Sequence, residues 1–145
     1  MAYLTAEEMA TRYGQDRLVD LTDRDGDGIG DDPMIAQALA DAEAEIDGYL
    51  AARYRLPLPT VPAILARIAG DIAIYRLLSL RRMGDIEDAR RRYEDGRRLL
   101  EAIGRGTVSL GLPAALPPEQ QPGLSLAAAK SGPAPVFGPD QMGGF

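Results

Sequence analysis

Val61-Pro62-Ala63-Ile64-Leu65-Ala66-Arg67-Ile68-Ala69-Gly70-Asp71-Ile72-Ala73-Ile74-Tyr75-Arg76-Leu77-Leu78-Ser79-Leu80 is the stretch that decides how this chain folds. Fourteen of its twenty residues are apolar, and only Arg67, Asp71 and Arg76 carry charge. Positions 61, 64, 65, 68, 72 and 75 follow the helical period, while Ile74, Leu77 and Leu78 extend the apolar surface round the far side. A helix that is oily over most of its circumference must be covered on several sides. A bilayer is one cover, but charges near mid-span would cost about 2.5–3.5 kcal/mol each there. Arg67 and Asp71 stand i,i+4 and can pair along one strip. The stretch therefore reads as a central core helix sheathed by the rest of the chain.

Working outward, 145 residues amount to about one domain, and 46% apolar residues suffice for a core. With no cysteine, neither a disulfide nor a thiolate zinc site can hold the fold. With no histidine, the commonest general base and the imidazole metal ligand are missing too. The start, Met1-Ala2-Tyr3-Leu4-Thr5, has no basic region followed by an apolar run, which points to an intracellular protein. Charge is unevenly spread. Residues 1–50 hold thirteen acids and three arginines, a net of −10, whereas residues 51–112 hold twelve arginines and seven acids, a net of +5. Such an asymmetry suggests docking between unlike faces, with solvated helix faces as the plainer alternative.

Before the core helix, Thr5-Ala6-Glu7-Glu8 is a capping box, Met9 and Tyr13 lie on the face that follows, and Gly14 suits a left-handed C-terminal cap. Gln15 to Leu21 reads as a second short helix with Leu18, Val19 and Leu21 inward. A long helix begins at Pro33, with Asp32 as its cap, and runs to about Arg53. Its seam is Ile35, Leu39, Ala42, Ile46 and Tyr49, spaced 4, 3, 4, 3, with Asp41, Glu43, Glu45 and Asp47 around it. Alternate prolines in Leu56-Pro57-Leu58-Pro59-Thr60-Val61-Pro62 impose an extended, rigid corner.

After the core helix, Arg81 to Asp85 makes a turn and Asp85 caps a last long helix. Its inward stripe is Ile86, Ala89, Tyr93, Gly96, Leu100 and Ile103. Arg90, Arg91, Arg92, Arg97 and Arg98 lie outside it, interleaved with Glu87, Asp88, Glu94, Asp95 and Glu101. No aromatic platform accompanies them, so a mixed solvated or intersubunit face is favoured over a DNA-reading one. Gly104 to Gly106 ends the helix, and Thr107 to Leu112 reads as a short extended segment that must pack elsewhere. The fold expected is all-α: about four helices bundled round a central apolar one, in a domain spanning 1–112. Residues 113–145 hold seven of the eleven prolines and form an irregular arm. Such an arm recovers its ordering entropy only against neighbouring subunits.

One loop carries candidate chemistry. In Asp23-Arg24-Asp25-Gly26-Asp27-Gly28-Ile29-Gly30-Asp31-Asp32, oxygen ligands at alternate positions resemble a calcium loop, with Gly28 at its sharp turn. The candidate metal ligands are Asp23, Asp25, Asp27 and Asp31. Position twelve is Met34 instead of a bidentate glutamate, so any calcium binding is weak and no cofactor is required. The alternative is a plain acidic connection. A carboxylate-only metal hydrolase on these four aspartates is disfavoured, because a flexible loop makes a poorly preorganised site. No catalytic residues are assigned, and the chain reads as a non-enzyme.

Several segments in order carry a resemblance: Tyr3-Leu4-Thr5, Thr22 to Asp27, Ala44-Glu45-Ile46-Asp47-Gly48-Tyr49-Leu50, and Tyr54-Arg55-Leu56-Pro57-Leu58. Val61-Pro62, Asp71 to Leu77, Arg92-Tyr93-Glu94-Asp95 and Leu110-Gly111-Leu112 complete it. Together they resemble the Mu-type phage head–tail connector (adaptor) family, over about residues 1–112. That resemblance implies an all-helical subunit of a dodecameric ring in the virion neck, assembled in the host cytoplasm. Its partners would be other copies of itself, the portal protein above and a tail-completion or stopper protein below. DNA would pass through without base-specific contacts, and no membrane is involved. An acidic lumen would repel phosphate, which places the Asp loop or the helix from Pro33 to Ala52 at the channel or a subunit boundary. A calcium-dependent binding module using the Asp-rich loop, and a DNA-binding regulator using the Arg90–Arg98 face, are the rival readings.

Overall fold

The computed structural model describes residues 2–80 and 86–115. Their architecture is all-helical: α1 (Ala6–Tyr13), α2 (Gln15–Thr22), α3 (Asp32–Leu50), α4 (Ala63–Leu80) and α5 (Ile86–Arg105). The Arg81–Asp85 turn, with its Asp85 cap, and the arm beyond Ala115 lie outside the described residues.

Helix α4 is the centre of the bundle. It packs along α3 on one side and α5 on another, and α2 covers it further. Ten of its eighteen residues are buried, including Leu65, Ile68, Ile72 and Leu77, which are wholly enclosed. Enclosing one such side chain is worth about 1.5–3 kcal/mol. None of the described helices is long and apolar enough to cross a membrane. The helix starts at Ala63 instead of Val61, and Val61 is exposed.

The flanking helices form where their caps and stripes place them. Thr5 and Glu8 close the capping box of α1, the Glu8 amide donating to the Thr5 hydroxyl and the Thr5 amide to the Glu8 carboxylate. Gly14 ends α1 with φ 91° and ψ 134°, positive in φ but outside the left-handed helical region expected. Helix α2 buries Leu18 and Leu21, with Val19 only half-buried.

In α3 the cap is Asp31, one residue earlier than expected: its carboxylate accepts the Met34 amide at 3.1 Å. The buried line runs Ile35, Ala38, Ala42, Ile46 and Leu50. It is rotated from the expected seam, because α3 faces both α4 and α5 and needs a broader contact than one partner requires. Helix α3 stops at Leu50, short of Arg53. The corner that follows is a series of bends with Tyr54 and Leu58 buried, and its Leu56–Pro57 peptide is cis.

Helix α5 buries Ala89, Gly96, Leu100 and Ile103 of the expected stripe, with Ile86 and Tyr93 half-buried. Ile68 approaches where a Cβ on Gly96 would stand, at 3.3 Å, so α4 and α5 come close there. Thr107 to Leu112 forms no strand. The Thr107 and Val108 amides turn back onto the Ala102 carbonyl, the Leu110 amide donates to the Tyr54 hydroxyl, and the Ala115 amide to the Arg53 carbonyl. Leu110 and Leu112 pack on the core, so the segment finds its partners at the far end of α3.

Candidate functional site

The Asp loop is built from Thr22 outward. Thr22 is fully buried: its hydroxyl donates to the Leu18 carbonyl at 2.7 Å and accepts the Asp31 amide at 2.9 Å, clamping both ends of the loop together. Asp23 accepts the amides of Gly28 and Gly26, at 2.9 and 2.7 Å, and these bonds hold its carboxyl below the usual range. Gly26 and Gly28 sit at φ 78° and 77°, which the tight double turn requires. Asp25 accepts the Asp27 amide, and Asp27 the Ile29 amide.

The result brings together three of the four candidate ligands. Carboxylate oxygens of Asp23, Asp25 and Asp27 all lie within 4.8 Å of one another, enough for a hard cation to bridge after small side-chain movements. Asp31 is placed elsewhere, its carboxylate engaged on the first turn of α3.

Three acids of α3, Asp41, Glu45 and Asp47, meet partners outside that helix. Tyr3 donates its hydroxyl to Asp47. Glu45 accepts Arg76 and the Tyr93 hydroxyl, each at 2.9 Å, so one carboxylate links α3, α4 and α5. Asp41 lies 3.7 Å from Arg76 and accepts Gln37. The Tyr93 ring stacks on Tyr75 with centroids 4.7 Å apart. Burial, then the bond to Glu45, raises the Tyr93 phenol; burial, then the bond to Asp47, raises that of Tyr3.

A second polar knot joins α1 to the centre. Asp71 is only 6% exposed, and it accepts Arg67 at 3.0 Å, as the i,i+4 spacing predicts. It also accepts the Tyr13 hydroxyl at 3.2 Å, a contact invisible to periodicity. Its one signal in the sequence is a Gly-Asp pair inside an otherwise greasy helix.

Charge is redistributed accordingly. Residues 7–32 hold nine acids and three arginines, a net of −6, while residues 33–80 and 86–115 together hold ten acids and ten arginines. By element, the negative excess sits mainly on α3, which holds five acids and no base, and on the Asp loop, with smaller shares on α1 and α2. On α5, Arg90, Arg92, Arg97, Arg98 and Arg105 all make ion pairs with carboxylates of the same helix. That face is a mixed one.

The family described as Bacteriophage Mu, Gp36 matches residues 3–127. The chain belongs to that family. It is 39% identical to Gene product J of Escherichia phage Mu over 146 residues, covering 99% of both chains. It is also 46% identical to the Mu-like prophage FluMu protein gp36 of Haemophilus influenzae over 82 residues, 57% of this chain and 56% of that one. The matched residues run past 112, into the proline-rich stretch that follows the helices. This is a protein of the Mu phage type.

Proposed function

We propose that this Mu-type phage protein is a structural, non-enzymatic head–tail connector subunit. It forms a ring beneath the portal in the virion neck, joins the portal to tail-completion proteins, and lets DNA pass. The observation that carries this reading is the concentration of acid in residues 7–50, thirteen acids against three arginines, beside an α5 of mixed charge. A surface of that sign lining or rimming a channel repels phosphate and does not grip a moving duplex. The mixed-charge face of α5 remains available to neighbouring copies. Glu45 and Asp47 of α3 are committed within the bundle, so the Asp loop is the better candidate for the channel side. Particle imaging and mass measurement of the protein alone and with its portal test this: a closed ring on the portal supports it, and a chain that never joins the portal overturns it.

A second reading is favoured by the convergence of Asp23, Asp25 and Asp27. In it the loop is a calcium-dependent binding surface of about millimolar affinity, since Met34 replaces the bidentate ligand and Asp31 is occupied as a cap. Chelation would then weaken assembly, which the connector reading does not require.

A further inference from the structure

The buried stripe of α5 faces α4 and α3, and its outer face is unpartnered among the described residues. Opposite that stripe runs Glu87, Arg91, Glu94, Arg98, Glu101 and Arg105, spaced 4, 3, 4, 3, 4 with strictly alternating sign. None of the six is buried, and the Arg98 side chain is 70% exposed. Glutamate-to-arginine pairs at i,i+4 stabilise a single helix wherever they stand around it. Here the three units recur every seven residues, so all six charges fall on one line pointing away from the core. That alignment is what a partner helix reads.

We propose that this line is a docking surface for a second copy of the chain, α5 against α5, antiparallel about a two-fold axis beside Gly96. In that register Glu87 meets Arg105, Arg91 meets Glu101, and Glu94 meets Arg98, each twice. A parallel in-register pairing would place like charges together, so the strip selects orientation as well as partner. The pairs within the helix, such as Glu94 with Arg98 and Glu101 with Arg105, do not exhaust the groups. A guanidinium has five donors and a carboxylate about four acceptor sites. A two-fold contact closes on itself and cannot propagate round a ring. It therefore holds free copies in pairs, and opens when a copy enters a larger assembly.

The test uses two single variants of the full chain, Glu94→Arg and Arg98→Glu, with helicity checked by circular dichroism. Sedimentation velocity at about 0.05 M salt should show wild-type pairs that dissociate near 0.5 M. Each variant puts like charges at the two-fold centre and should self-associate about tenfold more weakly. Mixed in equal amounts they should recover a one-to-one pair, because arginines at 94 and 98 then face glutamates. If either loses helicity, Glu87→Arg mixed with Arg105→Glu repeats the design at the strip's ends. A wild type that stays monomeric at low salt, or a mixture no tighter than its components, overturns the proposal. A wild type that stays monomeric when free yet forms rings on the portal would overturn α5 pairing and leave the connector reading standing; pairing without portal binding would do the reverse.

Discussion

The hydroxyl of Tyr13 donates to the buried carboxylate of Asp71 across the bare backbone of Gly70. A Cβ at position 70 would stand 2.5 Å from the Tyr13 hydroxyl oxygen and 2.7 Å from its ring. Gly70→Ala must therefore expel a packed tyrosine and strip Asp71 of one of its two donors. Overpacking of this kind costs about 1–3 kcal/mol. Urea denaturation should show that loss, and Tyr13→Leu in the same chain should relieve part of it. An unchanged midpoint in Gly70→Ala would refute the contact.

Alkaline pH should weaken the fold through the tyrosines. Tyr3, Tyr13 and Tyr93 are all raised above their usual value, first by burial and then by a carboxylate partner. Above about pH 10 the unfolded chain releases these protons while the folded one keeps them, so stability is full below that pH and falls as pH rises. Tyr54 opposes this: burial raises it, but the amide of Leu110 and other donors outweigh that and lower it. Melting temperatures should thus be level through neutrality and decline above pH 10, with Tyr13→Phe reducing the slope. A wild-type profile still flat at pH 11 would contradict the assignment.

Thr22 should matter more than its size suggests. Thr22→Val keeps the shape but removes both the donor to Leu18 and the acceptor for the Asp31 amide. Leaving such a group unpaired costs about 1–3 kcal/mol. Hydrogen exchange at Asp31 should accelerate along with the stability loss; protection equal to wild type would show the clamp to be dispensable.

Two aspartates of one loop should behave differently. Asp31→Ala removes a helix cap and should cost about 0.5–2 kcal/mol with or without calcium. Asp25→Ala should leave stability in chelator nearly unchanged but erase any stabilisation by millimolar calcium. Thermal melts with calcium and with chelator separate the two. A calcium effect that survives Asp25→Ala would remove that residue from the ligand set.

The helices were legible because their signals are local and redundant. The apolar count of α4, the capping box at Thr5 and the stripe of α5 each announce an element without reference to the others. What escaped depends on partners distant in sequence. The buried line of α3 rotated because two helices share it. The acids around that line looked like a free face until Tyr3, Arg76 and Tyr93 met them. The Asp loop was readable as a candidate ligand set from spacing alone, but nothing in the sequence says which of two adjacent aspartates, 31 or 32, will cap the helix and so stand apart from the cluster.

The return of the chain after α5 gives the molecule an address at each pole. Leu110 and Ala115 are fastened to Tyr54 and Arg53, just past the end of α3, whereas the Asp loop precedes its beginning. Nineteen helical residues separate those sites by about 28 Å. Ala114, exposed beside that fastening, thus lies at the pole opposite the carboxylates, so a small label attached there should leave the loop untouched and report on the other side of any assembly.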